Sequence, residues 1–271
     1  MELTLAALIG IIVLLGLIQF LAQGLEAVTG FGSTVVAVPI MAMIVPLETA
    51  IIIGVTHTWM LVIYIVFVSR KDIVWKEFGF IALYVLIGLP FGIYLFTRMN
   101  EAYLLGILSL FMIGVGFHGF RMTRRNRNQT KASTEPVKKN FLMRFILFLG
   151  GIIHGAFGTG GPLVVLYATQ ALKNKALFRV TLCLLWLSMN TILITVWTID
   201  EIWTGEGRWT RNNYFSLYAA LATLPFTLVG IFVGNYLHHR VSEYVFRLIV
   251  YGLLFGTGFV VMYNAASKLL A

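Results

Sequence analysis

The sequence predicts an all-α polytopic membrane protein built from two inverted repeats. Three observations carry this. First, only 11% of the 271 residues are charged and 59% are hydrophobic, whereas a soluble domain carries about 25% charged residues. Mean hydropathy is +0.89. Second, the charges cluster between continuous apolar runs, not in the alternating pattern of a transmembrane β-barrel. Third, the halves share residues at fixed offsets. Ile18, Phe20, Leu21, Gly30, Gly32 and Val36 recur 128 positions on as Ile146, Phe148, Leu149, Gly158, Gly160 and Val164. Gly88, Gly92, Tyr94, Leu95, Arg98 and Glu101 recur 142 positions on as Gly230, Gly234, Tyr236, Leu237, Arg240 and Glu243. The polar loop 200–213, absent from the first half, accounts for the change of offset.

Each half divides into five elements. The first repeat, 1–120, holds 3–27, 34–45, 49–69, 78–97 and 102–120; the second, 141–271, holds 141–155, 163–172, 177–199, 214–238 and 244–266. A basic linker, 121–140, joins them. An odd number of elements per half inverts the second repeat relative to the first. With the linker in the cytoplasm, 16 of the 20 Lys and Arg fall on the inside, as the positive-inside rule requires. Both termini are then external. The second element of each half is too short for a span of about 20 residues. Elements one and two therefore read as re-entrant hairpins, with six full spans around them. The first element is long enough to cross, so it reads either as a full crossing or as a hairpin arm preceded by an additional tilted or interfacial helix that breaks near Gly16. The amino terminus shows no basic segment or cleavage site of a removable signal peptide.

The hairpin tips are glycine-rich: Thr29-Gly30-Phe31-Gly32-Ser33-Thr34, and Gly155-Ala156-Phe157-Gly158-Thr159-Gly160-Gly161-Pro162. Irregular backbone at membrane depth survives only where protein or a water-filled cavity surrounds it. Paired breaks in the two halves of a transporter mark its binding site. The tips are expected to meet near the midplane. Helices starting just after them offer unpaired N–H groups and partial positive charge, which suit an anion. Gly30, Gly32, Ser33, Thr34, Gly158, Thr159, Gly160 and Gly161 are the candidate substrate contacts, with His57 and Asn190 on the third elements. No Lys or Arg is expected at that depth. Glu26 and His154 align at the offset of 128, each just before its tip. Ionisable groups in spans default to a functional role, here that of carrying a coupling proton. The Gly88/Gly92 and Gly230/Gly234 pairs read as helix-packing positions.

These tips, the Val38-Pro39 pair after the first of them, the duplication and the basic linker resemble the sulfite exporter TauE/SafE family, also called toluene-sulfonate uptake permeases. The pattern departs at Tyr167, which stands where a second proline would align, and at Pro162. The resemblance implies a secondary transporter of small sulfur-containing anions, sulfite or organosulfonates, in a bacterial or archaeal cytoplasmic membrane. Expected partners are that anion, H+ or Na+ as the coupling ion, and membrane lipids. No cofactor or nucleic acid is expected.

An intramembrane enzyme lacks its parts. There is no His-Glu-x-x-His helix, Asp72 and Asp200 lie at span ends, and the single cysteine, Cys183, excludes a thiolate cluster. A passive anion channel remains open, because the same donors would line a pore. A receptor or assembly subunit also remains open, but gives no reason for two matched breaks.

Overall fold

A computed structural model describes residues 5–125, 140–172, 174–205, 215–237 and 243–270. Most of the 121–140 linker and of the 200–213 loop lies outside them. Among the described residues there are ten α-helices, one short 3-10 turn and no strand. The helices are α1 (Leu5–Thr29), α2 (Ser33–Met41), α3 (Leu47–Ser69), α4 (Trp75–Arg98), α5 (Glu101–Arg125), α6 (Phe141–Phe157), α7 (Gly161–Ala171), α8 (Lys175–Thr204), α9 (Phe215–Leu237) and α10 (Glu243–Leu270). The protein is an all-α polytopic membrane protein. Six of its helices, α1, α3, α4, α5, α8 and α9, are long and apolar enough to cross a membrane, and α10 has 28 residues. α2 and α7 have nine and eleven residues, about 14 and 17 Å at 1.5 Å per residue.

One expectation needs correction. The first element does not break near Gly16. α1 is continuous over 25 residues, about 37 Å. Gly16 is buried, and a Cβ there would sit 2.6 Å from the Phe226 ring of α9. That glycine lets two helices approach; it does not interrupt one. α8 also runs past Asp200 and Glu201 to Thr204, and α5 continues into the basic segment as far as Arg125.

The contacts divide the chain into two compact units, each drawn from both sequence halves. One comprises Met1–Phe78 and Arg179–His238; the other comprises Gly79–Phe178 and His239–Ala271. In the first unit α1 packs on α9 through glycine. A Cβ on Gly230 would strike the carbonyl of Phe20, and one on Gly234 that of Gly24. In the second unit α4 packs on α6 the same way: Gly88 faces the carbonyl of Phe148, and Gly92 that of Ile152. These contacts correspond under the two offsets found in the sequence, Phe20 with Phe148 and Gly88 with Gly230. All four glycines therefore serve backbone-to-backbone packing, the role small residues play between helices in lipid. Phe80 against Tyr167, with ring centroids 5.2 Å apart, adds an α4–α7 contact to the second unit.

Candidate functional site

The first tip follows from the end of α1. Gly30 adopts φ +81° and its N–H bonds the carbonyl of Glu26 at 2.6 Å, a left-handed cap that stops the helix. Two residues later Gly32, at φ +105°, precedes α2 and offers no side chain to cap it. The cap comes instead from Glu26, one turn back on α1. Its Oε2 accepts the N–H of Ser33 at 3.0 Å and also the Ser33 hydroxyl. The Ser33 hydroxyl lies 2.7 Å from that of Thr58 on α3. A carboxylate only accepts, so the chain of donors runs from Thr58 through Ser33 to Glu26. Glu26, Ser33, Thr34 and Thr58 are all buried.

An arginine does reach this tip. A Cβ on Gly30 would lie 2.8 Å from Cγ of Arg179 and 2.9 Å from its Cα. The expectation that no Lys or Arg lies at this depth is therefore wrong. Arg179 is the fifth residue of α8, and this first turn abuts the tip. Its guanidinium donates to Asn235 of α9 at 3.3 Å, while its Nε is buried without a hydrogen-bond partner. Cys183, one turn on, points its thiol at the Gly30 carbonyl, 3.9 Å away. Asn190 continues the same face of α8, eleven residues or about 16 Å from Arg179. It is fully buried, and neither atom of its amide has a hydrogen-bond partner.

His57 does different work. Nε2 lies 2.8 Å from the Ala220 carbonyl and Nδ1 lies 2.7 Å from the Thr227 hydroxyl, both on α9. A carbonyl cannot donate, so Nε2 carries the proton and Nδ1 accepts from Thr227 in the neutral ring. Both nitrogens are thus committed to joining α3 with α9.

The second tip is built alike at its start and differently at its end. Gly158, at φ 66°, caps α6 and sends its N–H to the His154 carbonyl at 2.7 Å. This matches Gly30 and Glu26. Gly160, however, has φ −65° and lies against α6: a Cβ there would strike the Gly150 carbonyl and stand 2.7 Å from Cβ of His154. α7 then begins at Gly161-Pro162, and proline suits a position whose N–H lies outside the helical ladder. Thr159 is buried and its hydroxyl has no hydrogen-bond partner. His154 is buried in the last turn of α6.

Two buried polar residues of α1 were missed. Gln19 and Gln23 are both fully buried on α1, at i and i+4 before Glu26 at i+7. Gln23 donates to Gln19 at 3.2 Å, and Gln19 lies 3.5 Å from the Met41 sulfur. Their spacing in an otherwise apolar helix was the available signal. α6 carries Leu147 and Gly151 at the equivalent positions.

A family model described as "Sulfite exporter TauE/SafE" matches residues 15–261. The chain belongs to the TauE/SafE sulfite exporter family. It is also similar to the "Probable inner membrane transporter protein TsaS" of Comamonas testosteroni, with 22% identity over 188 residues, 69% of this chain and 72% of that protein. No solved structure matches. Membership of TauE/SafE makes the chain a membrane transporter and not an enzyme, and the match includes both tips. It is a multi-pass integral membrane protein.

Proposed function

We propose that this TauE/SafE protein is a secondary active transporter of a small sulfur-containing anion, sulfite or an organosulfonate, working by alternating access. The observation that carries this reading is the pair of glycine-capped helix starts 128 residues apart. Each has a hydroxyl residue at the tip (Ser33, Thr159) and an ionisable residue one turn before it (Glu26, His154). Helix starts bind oxyanions through N–H groups and partial positive charge. The family name and the inner-membrane relative support a sulfur oxyanion as cargo.

At the second tip the proposed contacts are Thr159 and the first turn of α7. At the first they are Ser33 and Thr34, with Asn190 a further contact along α8. His57 serves helix joining in this reading. Glu26 is favoured over a sodium site as the coupling group, because it is a buried carboxylate with a short hydrogen-bonded path to Thr58. The test is counterflow in proteoliposomes. Vesicles loaded with unlabelled sulfite or 4-toluenesulfonate should drive entry of the labelled anion, while chloride or acetate inside should not. Equal counterflow with all four anions would remove the sulfur-anion assignment.

A further inference from the structure

We propose that Glu26 is an internal anion: its carboxylate holds the start of α2 in the place a substrate oxyanion would take, and gives it up on accepting a proton. This rests on the transporter reading above and adds the step by which proton and anion are linked.

The position of the carboxylate argues for it. The first N–H of α2 and the Ser33 hydroxyl both point at Glu26 Oε2, and Thr58 stands behind Ser33. An N–H of a helix start with two hydroxyls is the donor set a sulfonate or sulfite oxygen would choose. The chain has filled it with its own acid. The segment between acid and donors is short, and two of its residues, Gly30 and Gly32, have left-handed backbone. A Cβ on Gly32 would meet nothing within 4 Å, so space lies beside the hinge. A second observation points to a ligand on this side of the unit. Asn190, fully buried, has both amide atoms without a partner and lies on the same face of α8 as Cys183, two turns or about 10 Å further from the tip. A buried amide with no protein partner is open to a hydrogen-bonding ligand or water.

Charge then sets the stoichiometry. A carboxylate and a substrate anion sharing one buried set of donors repel strongly at low dielectric. The carboxyl must be neutral when the anion is bound, so each anion enters with one proton on Glu26. The surroundings leave Glu26 as the group that changes. On α8, Cys183 lies within electrostatic range of Glu26, and Arg179 within range of Cys183. Arg179 donates to Asn235 and stays cationic in both states. On α3, Tyr64 lies near Arg179, and His57 has both ring nitrogens committed to α9. α2 and α9 contain no Asp, Glu, Lys, Arg or His.

The experiment is 4-toluenesulfonate binding to the purified full chain as a function of pH. The probe is a strong acid and does not titrate, so any pH dependence belongs to the protein. Wild type should bind about tenfold more tightly for each unit the pH falls, and should take up about one proton per sulfonate in weak buffer. Glu26→Gln should bind tightly with no pH slope. A wild-type slope retained in Glu26→Gln overturns the proposal. So does sulfonate binding without proton uptake, a measurement made on wild type and independent of how the variant folds. If wild type neither binds nor carries 4-toluenesulfonate or sulfite, the transporter reading itself falls.

Discussion

The two glycine tips share a beginning and diverge within three residues. Gly30 and Gly158 both end a helix in the left-handed region and both bond the carbonyl four residues back. After that point the first tip is open and charged. Gly32 is left-handed with space around it, a carboxylate caps α2, and Arg179 stands against Gly30. The second tip is closed, and residues 155–162 contain no Asp, Glu, Lys or Arg. Gly160 is right-handed and pressed onto α6, and the Thr159 hydroxyl is left without a partner. The two tips share the backbone device that stops a helix and exposes the next one. They differ in what sits in front of the exposed donors. In the proposed transporter the two tips then differ in one respect: the donors of the first are filled by the protein's own carboxylate until Glu26 takes up a proton, and those of the second are not.

The largest expected effect separates the two glycines. Gly160→Ala places its Cβ on the Gly150 carbonyl and should prevent recovery of monodisperse protein. Gly32→Ala meets open space and pays only for a left-handed backbone, about 1–2 kcal/mol. Thermal melts in detergent compare them, and equal tolerance at both positions would erase the open-versus-closed contrast. Next is His57→Leu. It removes two buried hydrogen bonds and takes from the Thr227 hydroxyl its acceptor, while the Ala220 carbonyl keeps the Thr223 hydroxyl at 3.3 Å. A loss of about 2–3 kcal/mol in stability is expected, with sulfonate affinity unchanged in the protein that folds. Weakened binding at full stability would return His57 to the substrate site. The smallest effect is at Thr159→Val, which should weaken sulfonate binding by about 1 kcal/mol, one hydrogen bond. Calorimetry showing unchanged affinity would mean that this hydroxyl is not a ligand contact.

Much of this was legible in the sequence, because lipid makes apolar length and glycine breaks loud signals. All ten helices were expected, and residues marked as packing glycines, Gly88, Gly92, Gly230 and Gly234, do pack backbone to backbone. What failed was tertiary. α1 runs unbroken through Gly16, whose missing side chain makes room for the Phe226 ring, some 200 positions away in sequence. The reach of Arg179 to Gly30 depends on the start of α8 lying against the turn between α1 and α2, and no periodicity encodes that. His57 looked like a ligand because a histidine in a span is rare, yet its partners are a backbone carbonyl and a threonine on α9. Gln19 and Gln23 were readable and overlooked. Their spacing with Glu26 draws a polar stripe down α1 that α6 lacks.

The most direct test of gradient-driven sulfur-anion transport is accumulation of labelled 4-toluenesulfonate in proteoliposomes, with an imposed pH gradient, an imposed sodium gradient, or neither. Accumulation above the external concentration is expected when the outside is acidic, with none above equilibrium under a sodium gradient alone. Entry that stops at equilibrium under every gradient, with no saturation as the sulfonate concentration rises, would contradict a coupled carrier and identify a passive anion pore.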